Sequence, residues 1–249
     1  MKHSVDLNAD LGEGEPSESE LLKFVSSANI ACGFHAGDPS SMTASILAAR
    51  EAGVAVGAHP SFSDRENFGR KELPVSTNDI FALIAYQVGA FLGIATSLGV
   101  RPNHVKPHGA LYNMAARDPS LAEAVAHGLL AVDRSLLLFA PSGSALARAG
   151  EAVGLRIARE AFADRNYQPD GSLVPRTHPN ALLHDAGEAG ERALRMLREE
   201  VVRAIDGSDI PIQADTICVH GDTADAVAFA KQLRAKLAAA GITIAPPSA

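Results

Sequence analysis

The sequence predicts one α/β domain folded as a closed or nearly closed (β/α) barrel of seven or eight strands, with a doubly wound open sheet as the alternative. Three observations lead there. Short β-type runs alternate with helical stretches from end to end, and no repeat, linker or charge block divides the 249 residues. Polar, chemistry-bearing side chains also recur just past one strand after another, where the βα loops of such folds gather. The domain is expected to span residues 1–249, a length that one barrel uses up.

Strands are expected at residues 4–7, 29–32, 54–58, 104–106, 136–139, 155–158 and 216–219, with a last one at 242–244. The helices between them carry start signals. Ser17 with Glu20, and Ser76 with Asp79, have capping-box spacing, in which a hydroxyl and a carboxylate satisfy free N–H groups of the first turn. Asp38 before Pro39 and Asp118 before Pro119 set an N-cap ahead of a proline, whose missing N–H is no loss at the first helical position. Gly53, Gly99, Gly154 and Gly241 each close a helical stretch, where a left-handed C-cap is expected. The stripe Leu194, Leu197, Val201, Ile205 reads as one helix, and Phe229, Leu233, Leu237 as another.

From residue 80 to residue 100 no side chain is charged, a run long enough to span a bilayer. Its larger apolar residues, Ile80, Leu83, Ile84, Val88, Phe91, Leu92 and Leu98, fall on one helical stripe, and Tyr86, Gln87, Thr96 and Ser97 interrupt it. That pattern is a helix packed on a domain core. Lys and Arg number 22 against 29 Asp and Glu, a net charge of −7 that offers no general attraction to nucleic acid or anionic lipid. The N-terminus MKHSVDLNADLGEG lacks the apolar stretch of a secretory signal. Two cysteines make no disulfide framework and suit a reducing compartment, and Cys32 and Cys218 read as buried core thiols. The expectation is a cytoplasmic protein without nucleic-acid or membrane partners.

The strand ends carry the candidate site. Strand one runs through Asp6, Asn8 and Asp10 to Glu13. The second leads to His35 and Asp38, and the third to His59, Asp64 and Arg65. The fourth leads to Lys106 and His108, the sixth to Asp164 and Arg165 with Arg176 beyond, and the strand before the last helix to His220 and Asp222. Singly, Asp38 and Asp222 fit helix caps and each histidine fits a hydrogen-bonded core residue. Together they describe a shared polar pocket. Asp, His, Lys and Arg supply acid–base groups and anion clamps without an obvious covalent nucleophile, a combination suited to hydrolysis by water. No two histidines stand at i, i+4 and there is no H-E-x-x-H, so no metal ligand set is assigned, although a barrel can assemble one from separate strands. There is no P-loop. The Gly12-Glu13-Gly14 turn is too acidic for a pyrophosphate.

Six motifs stand in order: DLNADLGEG, SANIACGFHAGDP, GVAVGAHPSFSDRENFGR, HVKPHGALYN, FADRNYQPDGSLVPR and CVHGD. Together they resemble the LamB/YcsF family, known as the A subunit of the ATP-dependent 5-oxoprolinase, over about Val5 to Ile244. The resemblance implies a distorted, TIM-like barrel of the deacetylase-like type that acts with 5-oxoprolinase subunits B and C. The complex would convert 5-oxo-L-proline, ATP and water to L-glutamate, ADP and phosphate, with ATP a co-substrate engaged through the complex. On that reading Asp10 or His59 positions or deprotonates water. Lys106, Arg65, Arg165 or Arg176 holds the substrate carboxylate and phosphoryl group, and His108 or His220 protonates the leaving nitrogen. Asp6, Asn8, Glu13, His35, Asp164 and Asp222 complete the substrate-binding set. A free-standing metal-dependent amidohydrolase or carbohydrate deacetylase, and a non-catalytic subunit that only presents substrate, remain as alternatives.

Overall fold

The structure is a computed structural model and describes residues 4–219 and 226–248. Among these, the strands in chain order are β1 (Ser4–Leu11), β2 (Ser27–Ala31), β3 (Ala55–His59), β4 (His104–Val105), β5 (Leu137–Pro141), β6 (Arg156–Phe162), β7 (Val201–Arg203), β8 (Asp209–Pro211), β9 (Thr216–Cys218) and β10 (Thr243–Ile244). The helices are α1 (Glu18–Leu21), α2 (Pro39–Glu51), α3 (Thr77–Ser97), α4 (Gly109–Arg117), α5 (Pro119–Val132), α6 (Ala145–Ala152), α7 (Ala186–Glu199) and α8 (Ala226–Ala239).

Seven parallel strands close the barrel in the order β1-β2-β3-β4-β5-β6-β9 and back to β1. Closure is made by β9, whose Thr216 pairs with Glu160 on one side and Asp6 on the other. The eighth expected strand, β10, pairs outside this ring with the start of β1, Ser4 opposite Thr243. The (β/α) barrel is therefore the fold, and the open-sheet alternative is overturned by the β1–β9 pairing.

Local signals explain most elements. Asp38 caps α2 by accepting from the Ser41 N–H at 2.8 Å, with Pro39 at the first position, and Asp118 caps α5 through Ser120 and Leu121. Ser76 caps α3 through the Asp79 N–H. Gly53, Gly99, Gly154 and Gly241 have φ of 69°, 68°, 81° and 78°, the left-handed region expected after a helix. The apolar run is α3, which by length and composition alone could cross a membrane. Here Ile80, Ile84, Val88, Phe91 and Ala95 are buried and the helix packs against α5.

Three local expectations differ. Ser17 makes no side-chain cap on α1; instead the Glu18 carboxylate turns back to accept from the N–H groups of Gly12, Glu13, Gly14 and Glu15. The stripe through Val201 and Ile205 is not one helix. The α7 helix ends at Glu199, Glu200 takes φ of 56°, and Val201 begins an antiparallel hairpin with β8. Its apolar spacing is compatible with either period once a left-handed residue interrupts the chain. Strands β1 and β6 run about four residues longer than expected, because buried polar residues continue their alternation.

Most apolar side chains lie between the barrel and its helices, while Leu137, Phe139 and Ala158 form a small separate cluster. The His104 ring stacks on Phe139 at 4.1 Å and lies over Gly57, where a Cβ would come within 2.3 Å of the ring. Gly57→Ala is expected to destabilise the fold by about 1–3 kcal/mol through that overlap. Urea unfolding checks it; unchanged stability would mean that the ring has room to move.

Candidate active site

Alternation along β1 sends Leu7, Ala9 and Leu11 into the helix-facing core and leaves Asp6, Asn8 and Asp10 for the barrel interior. These three mark three levels. At the lowest, Asp6 is buried and accepts from Ser26 and Ser27 at 2.6 and 2.8 Å and from Thr216 at 2.5 Å. Burial pushes its carboxyl up to about 6 despite these hydrogen bonds.

The middle level is built on Lys106. Its Nζ lies 3.0 Å from Asp10 Oδ1, 3.0 Å from Glu160 Oε1, 3.2 Å from Asn8 Oδ1 and 3.1 Å from Cys218 Sγ. Asn8 Nδ2 donates to Glu160 and Thr216, Asn29 Nδ2 bridges Asn8 and Asp10, and Tyr112 donates to Glu160. Burial disfavours the ammonium, but the carboxylates of Asp10 and Glu160 outweigh it and hold Lys106 well above its usual range. Burial likewise opposes ionisation of Asp10, yet the Lys106 ammonium beside it holds it well below the usual carboxylate range. An ion pair is therefore kept charged inside the barrel.

The upper level is a histidine cluster. His59 Nδ1 is 2.7 Å from the Lys106 carbonyl, and its Nε2 is 2.9 Å from His108 Nδ1 and 3.4 Å from Asp10 Oδ2. His108 Nε2 is 3.0 Å from the Phe68 carbonyl, and His35 Nε2 is 2.9 Å from Glu13 Oε1. The His35 and His108 rings stack at 4.0 Å. Burial keeps His108 well below its ordinary value and lowers His35 to about 3, so both rings are neutral. Burial, reinforced by the Asp10 charge, raises Glu13.

The family model for LamB/YcsF matches residues 5–249. The chain belongs to the LamB/YcsF family. A Methylococcus capsulatus protein, named as the A subunit of 5-oxoprolinase, is 51% identical over 98% of this chain and 96% of its own length. The crystal structure of a lactam utilization protein from Thermus thermophilus superposes with a TM-score of 0.91 at 40% identity, covering 97% of this chain and 99% of that one. A family 4 carbohydrate esterase from Streptomyces lividans, at 13% identity over 97% of this chain and 91% of its own, reaches a TM-score of 0.50 and shares the fold alone.

In this LamB/YcsF barrel the fold brings Asp10, Glu13, His35, His59, Lys106 and His108 into one cluster, with Asn8 directly beneath and Asp6 deeper still. Arg65 is exposed and donates to the Gly33 and Gly37 carbonyls, tying the loops after β2 and β3 together. Asp164 and Arg165 are buried past β6, where Arg165 donates to the Val174 carbonyl at 2.7 Å and its Nε has no hydrogen-bond partner. Burial, and next the charge of exposed Arg176, lower the Arg165 guanidinium, which puts the two cations within electrostatic reach of each other. His220 and Asp222 lie outside the described residues. Cys32 and Cys218 are buried free thiols whose ionisation burial opposes, with Cys32 pushed up to about 12. A cleft of about 760 Å³ beside α7 and the β7–β8 hairpin touches none of these groups.

Glu160, Asn29, Tyr112, Thr216 and His104 went unseen in the sequence. Glu160 had a usable signal: it is a lone acid between Ala158 and Phe162 on the inward positions of β6. Tyr112 follows His108 by four residues, one turn along α4.

The buried Asp6 makes stability depend on pH. The unfolded chain releases this proton near 3.8 and the folded one near 6, so the folded state holds more protons between those values. Its contribution is full below about pH 4 and is lost as pH rises to about 6, a total of about 3 kcal/mol. Denaturant unfolding at pH 4 and pH 7 should show a smaller loss of stability with rising pH in Asp6→Asn than in the wild type; an identical pH dependence in both proteins would discount the carboxyl.

Proposed function

We propose that this chain is the A subunit of an ATP-dependent 5-oxoprolinase and that it carries out the hydrolytic opening of 5-oxo-L-proline to L-glutamate, with subunits B and C supplying the ATP-dependent activation. The observation that carries this reading is the charged Lys106–Asp10 pair held against His59 inside the barrel, in a chain 51% identical to a protein named as the A subunit of 5-oxoprolinase. A lactam is a poor electrophile. Transfer of the ATP γ-phosphoryl group to its carbonyl oxygen turns that carbon into one that water can attack. The tetrahedral adduct then has two exits. Cleavage of C–N gives an acyl phosphate and a free amine, and a second water releases phosphate and glutamate. Loss of phosphate first only regenerates the lactam, so protonation of the ring nitrogen decides whether ATP is used productively.

The residues divide these tasks. Asp10, kept ionised, orients the attacking water and takes its proton. The Lys106 ammonium stabilises the negative charge that develops on the adduct. Arg65, Arg165 and Arg176 offer guanidinium groups for the substrate carboxylate and the phosphoryl group. Between His108 and His220 as proton donor, His220 is favoured: neutral His108 already commits its N–H to the Phe68 carbonyl, and its other nitrogen faces His59. His220 follows β9 in the chain.

The deciding assay mixes the three subunits with 5-oxo-L-proline and ATP and omits each in turn. Glutamate should form only with all three, and its absence from the full mixture would refute the assignment. Asp10→Asn and Lys106→Met should each lower glutamate formation by at least about 100-fold; turnover surviving in an assembled complex would reduce this chain to a presenter of substrate. His220→Gln should uncouple the reaction, so that phosphate release exceeds glutamate release. A ratio still at one would remove His220 as the donor.

A further inference from the structure

We propose that Glu13, His35, His59 and His108 form a site for one divalent transition-metal ion above the Lys106–Asp10 pair. Each of the four offers one ligand atom, and these atoms lie within 4.8 Å of one another. The four side chains are nearly inaccessible, with exposures of 0–6%. They come from four separate segments: the turn after β1, the loop after β2, the end of β3 and the start of α4.

The direction of the hydrogen bonds carries the proposal. A carbonyl oxygen only accepts, so His59 must hold its proton on Nδ1, facing the Lys106 carbonyl at 2.7 Å. His108 must hold its proton on Nε2, facing the Phe68 carbonyl at 3.0 Å. The two remaining nitrogens, His59 Nε2 and His108 Nδ1, then present lone pairs to each other at 2.9 Å. Two lone pairs at that distance repel unless a cation lies between or beside them. Imidazoles whose far N–H is held by a backbone carbonyl are oriented as metal ligands are.

The separations suit such an ion. Bonds of 2.0–2.1 Å in a tetrahedral site place ligand atoms roughly 3.4 Å apart. Glu13 Oε1 is 2.9 Å from His35 Nε2, 3.4 Å from His108 Nδ1 and 3.9 Å from His59 Nε2. The His35 ring, now parallel to His108, must tilt for both to aim at one ion. Gly69 permits the crowding, since a Cβ there would lie 2.9 Å from His35 Cβ and 3.2 Å from His108 Cδ2. Three imidazoles and one carboxylate favour zinc, cobalt, nickel or iron over magnesium or calcium.

The test reads binding directly and is independent of the lactam reaction. The purified chain is stripped with chelator and titrated with Co²⁺ while visible d–d absorption is followed. A band saturating at one equivalent, and displaced by Zn²⁺, is expected. Outer-shell changes at metal sites cost 10–100-fold in affinity, so loss of a direct ligand in His108→Ala or His59→Ala should weaken binding more than about 100-fold. Glu13→Gln, nearly isosteric, should weaken it also while the melting temperature of the metal-free chain stays close to wild type. Absence of a saturable band in the wild-type chain would overturn the proposal and leave a proton shared between His59 and His108. So would a band that His108→Ala and Glu13→Gln both leave unchanged in folded protein.

Discussion

An ammonium group buried inside a barrel must be matched by charge and hydrogen bonds, and most of the interior of this protein is arranged around that requirement at Lys106. Removing one partner from a buried ion pair costs about 3–5 kcal/mol, because the remaining charge is left in a poor solvent. Here the partners come from β1, β6 and β9: Asp10 and Asn8, Glu160, and Cys218. The pair thus ties together strands that are far apart in sequence and next to one another only after closure. The same charges hold Asp10 ionised and Lys106 protonated, so the element that stabilises the interior also sets the protonation states beneath the histidine cluster.

Above this pair the backbone does the orienting. The carbonyl of Lys106 itself holds His59, and that of Phe68 holds His108, so both rings are set by main chain rather than by mobile side chains. The turn that brings in Glu13 is pinned by the Glu18 carboxylate, which accepts four successive N–H groups. Arg65 does the reverse for the next loops, donating to two carbonyls. Rigid support of this kind lets acid–base groups keep their geometry without substrate present.

The (β/α) architecture was legible because alternation and helix caps are local. Asp38, Ser76 and Asp118 cap where their spacing says they should, and the α3 stripe buries the face that its periodicity marks. Expectations failed where the decisive partner was distant or the period ambiguous. Ser17 has the spacing of a capping box, but nearby Glu18 is drawn to the 12–15 turn instead. Val201 fits a helical stripe, but left-handed Glu200 starts a hairpin. Glu160 and Tyr112 were hidden because a lone acid in a strand and a tyrosine on a helix become informative only once they meet each other and Lys106.

The sequence by itself determined the alternation of strands and helices, the end of the barrel where the polar cluster lies, the family, and most members of the cluster, because each follows from local patterns and motifs along the chain. Tertiary structure alone decided how those members divide. Closure through β9 buried Asp6 with Ser26, Ser27 and Thr216. It also made Lys106 and Asp10 an ion pair joined to Glu160. Folding drew four ligand atoms of Glu13, His35, His59 and His108 within 4.8 Å of one another. Which nitrogen of each ring bears its proton was decided there as well, since the carbonyls that hold His59 and His108 lie 47 and 40 residues away along the chain.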